Sequence, residues 1–514
     1  MRMTTRWLDP SGGSYVRRAR PLRLVLVVCL VLGSAYGVTA QTVATHPREL
    51  TFDPLEFEPP VSDRHRHTLS NGVVVFVVED HALPLVSVSV TVRTGGYLDP
   101  EGKEGLASLT GSQMRAGGAG SRSAADFDEE AAFLAAQIGS AIGSTAGRAS
   151  VSSLTKDLDA AMDLFFDMLR RPRFEESRLE LAKSQALQQM ARRNDSTGAI
   201  EGREWSRLMR GDDHFSTRST TRTSLDAITR DDLVAFHQRY YHPGAFILAV
   251  SGDVTPAEIL PRLEARMADW PMSPDPMPEV PKPSHEPSPG IYAVDKSDVN
   301  QGRVSIGHIG AMRDNPDRYA LLVMNDILGG GGFSSRLLTR IRSDEGLAYS
   351  ASSNFGLGTY YDGLFRVGFQ SRSETVARAG AIVVEEVERI RSGQVSEDEL
   401  RTSKASFIET FTRNFSSAGS TAGLFASDEY TGRDPEYLMQ YRDRISAVSG
   451  DDVLRVAREY LRPDQLVFLV VGDFETIEQG DPENPEFSLD RLSNGPMTRI
   501  PLPDPFTLEY PAEP

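Results

Sequence analysis

The stretch LDAITRDDLVAFHQRYYHPGAFILAVSGD, residues 225–253, returns 220 residues later as ISAVSGDDVLRVAREYLRPDQLVFLVVGD, residues 445–473. Asp231 and Asp232 align with Asp451 and Asp452, Tyr240 with Tyr460, Pro243 with Pro463, and Gly252-Asp253 with Gly472-Asp473, without a gap. In each copy a polar cap opens a helix whose apolar residues recur at helical spacing: Leu233 and Phe236, or Val453 and Val456. Proline then ends the helix. An apolar run follows (246–250; 466–471), and its bounding by Pro and Gly predicts a buried strand. Leu179 and Lys183 echo as Leu400 and Lys404, an offset of 221. The chain is a tandem duplication of a unit of about 220 residues.

Working outward, the join between the copies is residues 270–290, WPMSPDPMPEVPKPSHEPSPG, where proline every few residues predicts an extended, semi-rigid linker. The first copy is expected over 62–269 and the second over 291–474, with an extension at 41–61 and an acidic, proline-rich tail at 475–514 lying along the surface. In the first copy, residues 72–79 form a β-rich run behind an Asn71-Gly72 turn signal. Val86, Val88 and Val90 alternate in a second strand region over 81–93. Helical patterns follow over 124–134, 158–169 and 175–192. The fold class this predicts is α+β, with helices packed on a mainly antiparallel sheet in each copy.

The chain has 514 residues, 55 Lys+Arg, 72 Asp+Glu, nine His and one Cys, and a formal net charge of -17. That balance opposes a phosphate-tracking nucleic-acid surface, and one cysteine makes neither a disulfide framework nor a thiolate zinc site. Arg17, Arg18, Arg20 and Arg23 precede an apolar run over 24–32, and Val38-Thr39-Ala40 offers small residues at a cleavage site before Gln41. Residues 1–40 therefore read as a signal peptide; the run is short for a membrane span, an uncleaved anchor being the rival reading. Cleavage would remove six Arg, one Asp and the lone Cys29, leaving 49 Lys+Arg against 71 Asp+Glu, a net charge of -22. A cysteine-free, acidic, exported chain without a stable membrane anchor fits a periplasm.

No H-E-x-x-H, H-x-x-E-H or Walker A sequence is present. His65 and His67 alternate on a strand among Asp63, Arg64 and Arg66, as a solvated edge does. His237 and His242 flank a helix end beside Tyr240 and Tyr241, as packing and capping groups do. Gly329, Gly330, Gly331 and Gly332 precede a helix, but no Lys-Ser/Thr follows to make a phosphate cradle; a loop needing close backbone approach fits better. Ser334 or Ser335 is placed to cap a short helix that Gly346 terminates, and a strand is expected from Leu347. Arg342 then stands near the helix end and Tyr349 on the departing strand. Such a pair can orient a peptide carbonyl and stabilise a developing oxyanion. From these residues alone, an arginine complementing the helix dipole and a packing tyrosine are the favoured reading.

These segments together resemble the pitrilysin/insulinase (M16) family of zinc metallopeptidases, its short bacterial form and the mitochondrial processing peptidase in particular. The resemblance is carried by His67-Thr68-Leu69-Ser70-Asn71-Gly72, by Gly105-Leu106-Ala107, by the glycine run with Ser335-Arg336-Leu337, and by Gly346-Leu347-Ala348-Tyr349. It spans residues 62–474. Active members carry H-x-x-E-H directly after Gly-Leu-Ala; here that place is held by Ser108-Leu109-Thr110-Gly111-Ser112. The family's third ligand, a glutamate, falls near Gln188 and Gln189. These groups cannot replace two imidazoles and two carboxylates, so no metal is expected in this chain.

Arg342 and Tyr349, by contrast, fall where the family keeps its arginine–tyrosine pair, and Gly329, Gly330, Gly331 and Gly332 resemble the substrate-facing glycine-rich loop of the mitochondrial enzyme's non-zinc subunit. The resemblance implies a non-zinc subunit of a clamshell-like heterodimer. A partner bearing H-x-x-E-H would supply the zinc, a peptide would be the substrate, and Arg342 and Tyr349 would act in trans. An inactive peptide-binding or scaffold protein of the same fold is the alternative. A serine hydrolase using Ser108 or Ser112 lacks an evident base.

Overall fold

The computed structural model describes residue 50 and residues 56–272, 276–493 and 495–512. The expected signal peptide and Cys29 lie outside the described residues. The chain divides by contacts after Glu56, and residues 57–514 make one unit.

Alternation of valines with small polar residues makes six-stranded sheets, one per copy. The first comprises β1 (Arg66–Thr68), β2 (Val74–Glu79), β3 (Leu85–Val92), β4 (Gln137–Ile142), β5 (Gly147–Leu154) and β6 (Phe246–Gly252), in the order β1-β2-β6-β3-β5-β4. The second comprises β7 (Gly290–Asp295), β8 (Gln301–Ile309), β9 (Ala348–Phe355), β10 (Leu364–Arg372), β11 (Val467–Gly472) and β12 (Met497–Arg499), in the order β9-β10-β8-β11-β7-β12. In each, the strand of the quoted repeat lies inside the sheet, parallel to β2 or β7 (Val75 opposite Leu248; Phe468 opposite Ile291) and antiparallel to β3 or β8 (Val88 opposite Val250; Phe468 opposite Ile306). Both repeat strands are buried almost throughout, as their unbroken apolar runs require. Helices Leu158–Arg170 and Val376–Ser392 bury corresponding apolar stripes in the two main cores.

The expected strands and helices of the first copy are present with ends shifted by a few residues, because ends answer to caps and turns rather than to periodicity. The tail lies along the surface as expected, but it carries regular structure that its composition did not predict. Its residues Met497–Arg499 add a parallel edge strand beside β7, the place that antiparallel β1 holds beside β2 in the first sheet. Beyond it, Tyr510 donates to Glu204 (2.8 Å to Oε1) and Asn194 donates to the Pro503 carbonyl at 2.8 Å, so the tail straps the second copy to the first.

Four helices position the site and the join. They are α1 (Leu106–Ala116), α2 (Glu176–Met190), α3 (Thr197–Arg210) and α4 (Ala418–Thr431). α3 and α4 stand 221 residues apart, and the copies exchange them. α3 of the first copy packs on β8 and β11 of the second sheet, while α4 of the second packs on β2 and β6 of the first. Ile200, Trp205 and Met209 meet Val294, Val467, Leu469 and Val471. Ala422, Phe425 and Ala426 meet Phe76, Ile247 and Ala249. Each sheet thus buries its second face only with the other copy's help. The linker runs without secondary structure over 276–289, and its Pro281 carbonyl accepts from His214 at 3.1 Å.

Candidate functional site

The degenerate motif lies on α1. Gly105, with φ +102°, turns the chain into the helix, and a Cβ there would crowd Thr220 (2.9 Å from Cγ2). Asp99 takes the place of a cap, accepting from the N–H groups of Gly105 (2.8 Å) and Ala107 (2.7 Å); burial pushes its carboxyl up to about 6. α1 then lies flat on the first sheet, packing on β4 and on α2. Gly111, where H-x-x-E-H has its glutamate, touches the β4 backbone so closely that a Cβ would lie 2.8 Å from the Ala141 carbonyl carbon and nearer still to the Ile142 nitrogen.

The positions of the two lost imidazoles are exposed serines, and Ser112 returns its hydroxyl to the Leu109 carbonyl at 3.0 Å. Gln188 and Gln189 are exposed on α2. Zinc does not fit this set: no imidazole or carboxylate is present, and the space a glutamate would need is filled by β4. Among the described residues no group of three or more His, Cys, Asp or Glu is gathered so as to hold a metal ion.

Several histidines are committed to packing. His237 donates to the Leu169 carbonyl at 2.8 Å, and burial pushes its pKa down to about 4. His308 donates to its neighbour Ile309 (2.8 Å) and accepts from the Arg462 N–H (3.1 Å); burial likewise holds it at about 4. His65 donates to the Val77 carbonyl at 3.0 Å and stacks on Phe425.

The second copy presents a different corner. Helix Arg318–Asn325 runs into a π-turn, Asp326–Gly330, whose glycines are needed for packing. A Cβ on Gly329 would lie 2.6 Å from the Ser353 nitrogen and 2.8 Å from Leu337 Cδ1. Gly329 is buried, whereas Gly330, Gly331 and Gly332 reach the surface. Gly332 has φ +62° with open space around it, and this left-handed turn throws Phe333 outward, 76% exposed. Ser335 occupies the N-cap position expected of it, but its hydroxyl donates to the Gly332 carbonyl at 2.7 Å and so ties the loop, not the helix. The helix itself is shorter than expected: Arg336–Leu338 passes into a second π-turn, Thr339–Asp344. Gly346, at φ +63°, turns the chain into β9.

Three arginines leave this segment, and only two are neutralised. Arg336 forks onto Glu399 (2.6 and 3.1 Å), and Arg340 pairs with Glu386 (2.9 Å) and Glu385 (3.2 Å). Arg342 has no carboxylate partner among the described residues. Its guanidinium carbon lies 4.5 Å from the Tyr349 ring centroid and 4.9 Å from that of Phe333. Packing two aromatic faces against a guanidinium holds it by cation–π attraction while leaving N–H donors free. Tyr349 is 82% exposed on edge strand β9. A bulge there sets Ala348 opposite Ser371 but Ala351 opposite Phe369, so Tyr349 and Ser350 share a place meant for one residue. Bulges re-aim side chains in this way. The pair expected from sequence is thus brought together. Phe333, the third member, was missed, since one phenylalanine after four glycines carries no periodicity.

Residues 74–207 match the family model "Insulinase (Peptidase family M16)" and residues 227–407 match "Peptidase M16 inactive domain". The zinc protease PqqE of Helicobacter pylori is 23% identical over 407 residues, 77% of this chain and 90% of that protein. The non-peptidase homolog YmxG of the same organism is 25% identical over 357 residues, 65% and 77% respectively. The crystal structure of a peptidase M16 inactive domain from Pseudomonas fluorescens superposes with a TM-score of 0.71 at 23% identity, covering 79% of this chain and 97% of that one. The α+β duplication, the two matched models and the degenerate motif agree: this chain belongs to the M16 peptidase family.

Proposed function

We propose that this chain is the non-zinc subunit of a heterodimeric M16-type peptidase, exported to the periplasm by cleavage of residues 1–40 and completed by a partner subunit bearing H-x-x-E-H and its zinc. Hydrolytic chemistry belongs to the partner's metal. In this chain Arg342 binds a backbone carbonyl of the peptide, and the Tyr349 hydroxyl donates to the carbonyl oxygen that gains charge as the bond is attacked. The exposed residues of the glycine loop flank the peptide. The observation that carries this reading is the contrast within one segment: Arg336 and Arg340 are ion-paired, while Arg342 is held between two exposed aromatic rings with donors to spare. That one organism holds both a zinc protease and a non-peptidase homolog similar to this chain supports a two-chain arrangement.

The test is peptide hydrolysis by the chain alone and with its partner. The chain alone should hydrolyse nothing and carry no stoichiometric zinc. Tyr349→Phe should lower the complex's turnover about a hundredfold while leaving assembly intact; unchanged turnover rejects the role. A scaffold reading is favoured by the non-peptidase relative alone. It requires Arg342→Ala and Tyr349→Phe to be silent while the complex still forms.

A further inference from the structure

A cavity of about 620 Å³ opens on the second sheet beside α3, lined by Arg210, Arg303, Arg366, Trp205, Ser352 and Asn354 among others, with no Asp or Glu in its lining. Such a basic hollow is unexpected in a chain of net charge -17. A buried carboxylate lies beside two of these arginines. Glu201, 2% exposed on α3, accepts from Arg366 and Ser305 across the join and, at 3.4 Å, from Arg303 Nε. One carboxylate cannot neutralise both guanidiniums that it meets. Arg210 lies over the Tyr361 ring, 4.6 Å from its centroid, and has no carboxylate partner among the described residues. Trp205, 4% exposed, contributes to the wall, while its indole N–H is buried and not open to the hollow. The cavity also adjoins the corner already described, since Ser350, Ser352 and Asn354 in its lining lie on β9, the strand that carries Tyr349.

We propose that this cavity is an anion-selective subsite that takes carboxylate side chains of a peptide held along the β9 side of the second copy. It rests on the peptide-holding reading above for the class of ligand, but not on a partner or on hydrolysis. A peptide is favoured over a phosphate compound because the hollow runs beside the exposed hydroxyl and amide groups of Ser350, Ser352 and Asn354 on β9, the edge strand that carries Tyr349.

The test uses residues 41–514 without a partner. An acidic hexapeptide of Asp and Glu is titrated while tryptophan fluorescence and calorimetric heat are followed, Trp205 being in the wall. Saturable binding is expected, weakened by salt, and absent for the hexapeptide of Asn and Gln. Arg210→Gln should weaken binding by about tenfold or more with an unchanged urea midpoint, and Arg303→Gln by a similar factor with a lowered midpoint, because it also gives up the contact with Glu201. No saturable binding by either measurement overturns the proposal. So does equal binding of the neutral peptide, or equal competition by inorganic phosphate. Acidic-peptide binding by a chain that never supports hydrolysis with a partner would sink the two-chain reading and leave this one standing.

Discussion

The two copies handle the same architectural corner in opposite ways. In both, a helix presses a glycine onto the backbone of the edge strand: Gly111 on Ile142 in the first, Gly329 on Ser353 in the second. In the first copy the contact closes the corner. α1 lies flush on β4, its serines look outward with nothing to bind, and no side chain fits at position 111. In the second, the chain leaves the contact through a left-handed glycine, exposes Phe333, and meets a bulge that exposes Tyr349. The guanidinium between those rings is half-buried and unpaired by carboxylate. The same scaffold thus supports either a packed surface or a poised one. What decides is whether volume at the helix–strand contact is removed, or a turn and a bulge are inserted.

Rebuilding the motif should break the contrast most severely. Ser108→His, Gly111→Glu and Ser112→His together force a side chain into the β4 backbone, so urea unfolding should show a loss of about 3 kcal/mol or more. Metal analysis should still find no stoichiometric zinc; tight zinc with undiminished stability would show that the corner is open after all.

Acid should then weaken both copies alike. His237 and His308 stay neutral down to about 4, whereas in the unfolded chain they protonate near 6.5. The unfolded state therefore binds more protons in between, and stability, fully present above pH 6.5, falls as pH drops towards 4. The ceiling is about 3 kcal/mol for each ring. Replacing either by Gln should flatten that part of the profile.

A smaller effect is expected at Gly332→Ala, about 1 kcal/mol, from backbone strain alone since the space around it is open. Smallest is Phe333→Ala. It removes one exposed ring face from Arg342 and should shift unfolding by less than about 1 kcal/mol. In the complex it should lower turnover, because Arg342 loses half its clamp; full turnover would confine Phe333 to packing.

The legible parts were those written in local chemistry. Alternating valines, the Pro–Gly-bounded apolar runs and the repeated Asp-Asp caps made the sheets and their duplication readable. Arg342 and Tyr349 were legible as a pair only through family resemblance, because neither spacing nor composition separates a free guanidinium from a paired one. Phe333 was not legible, nor was the edge strand that Met497–Arg499 supplies, since three residues in a proline-rich tail carry no strand pattern.

By itself, then, the sequence determined the duplicated α+β fold and the loss of the zinc ligands, because periodicity, turn residues and ligand chemistry are properties of short segments. The tertiary structure decided which helix covers which sheet. Ile200, Trp205 and Met209 mark an apolar face on α3, but a stripe does not name its partner, and only packing across 221 residues of offset shows the exchange with α4. It also decided which arginine is free. Glu399, Glu385 and Glu386 reach Arg336 and Arg340 from helices far along the chain, and ion pairing at that separation depends on three-dimensional distance rather than on order in the sequence.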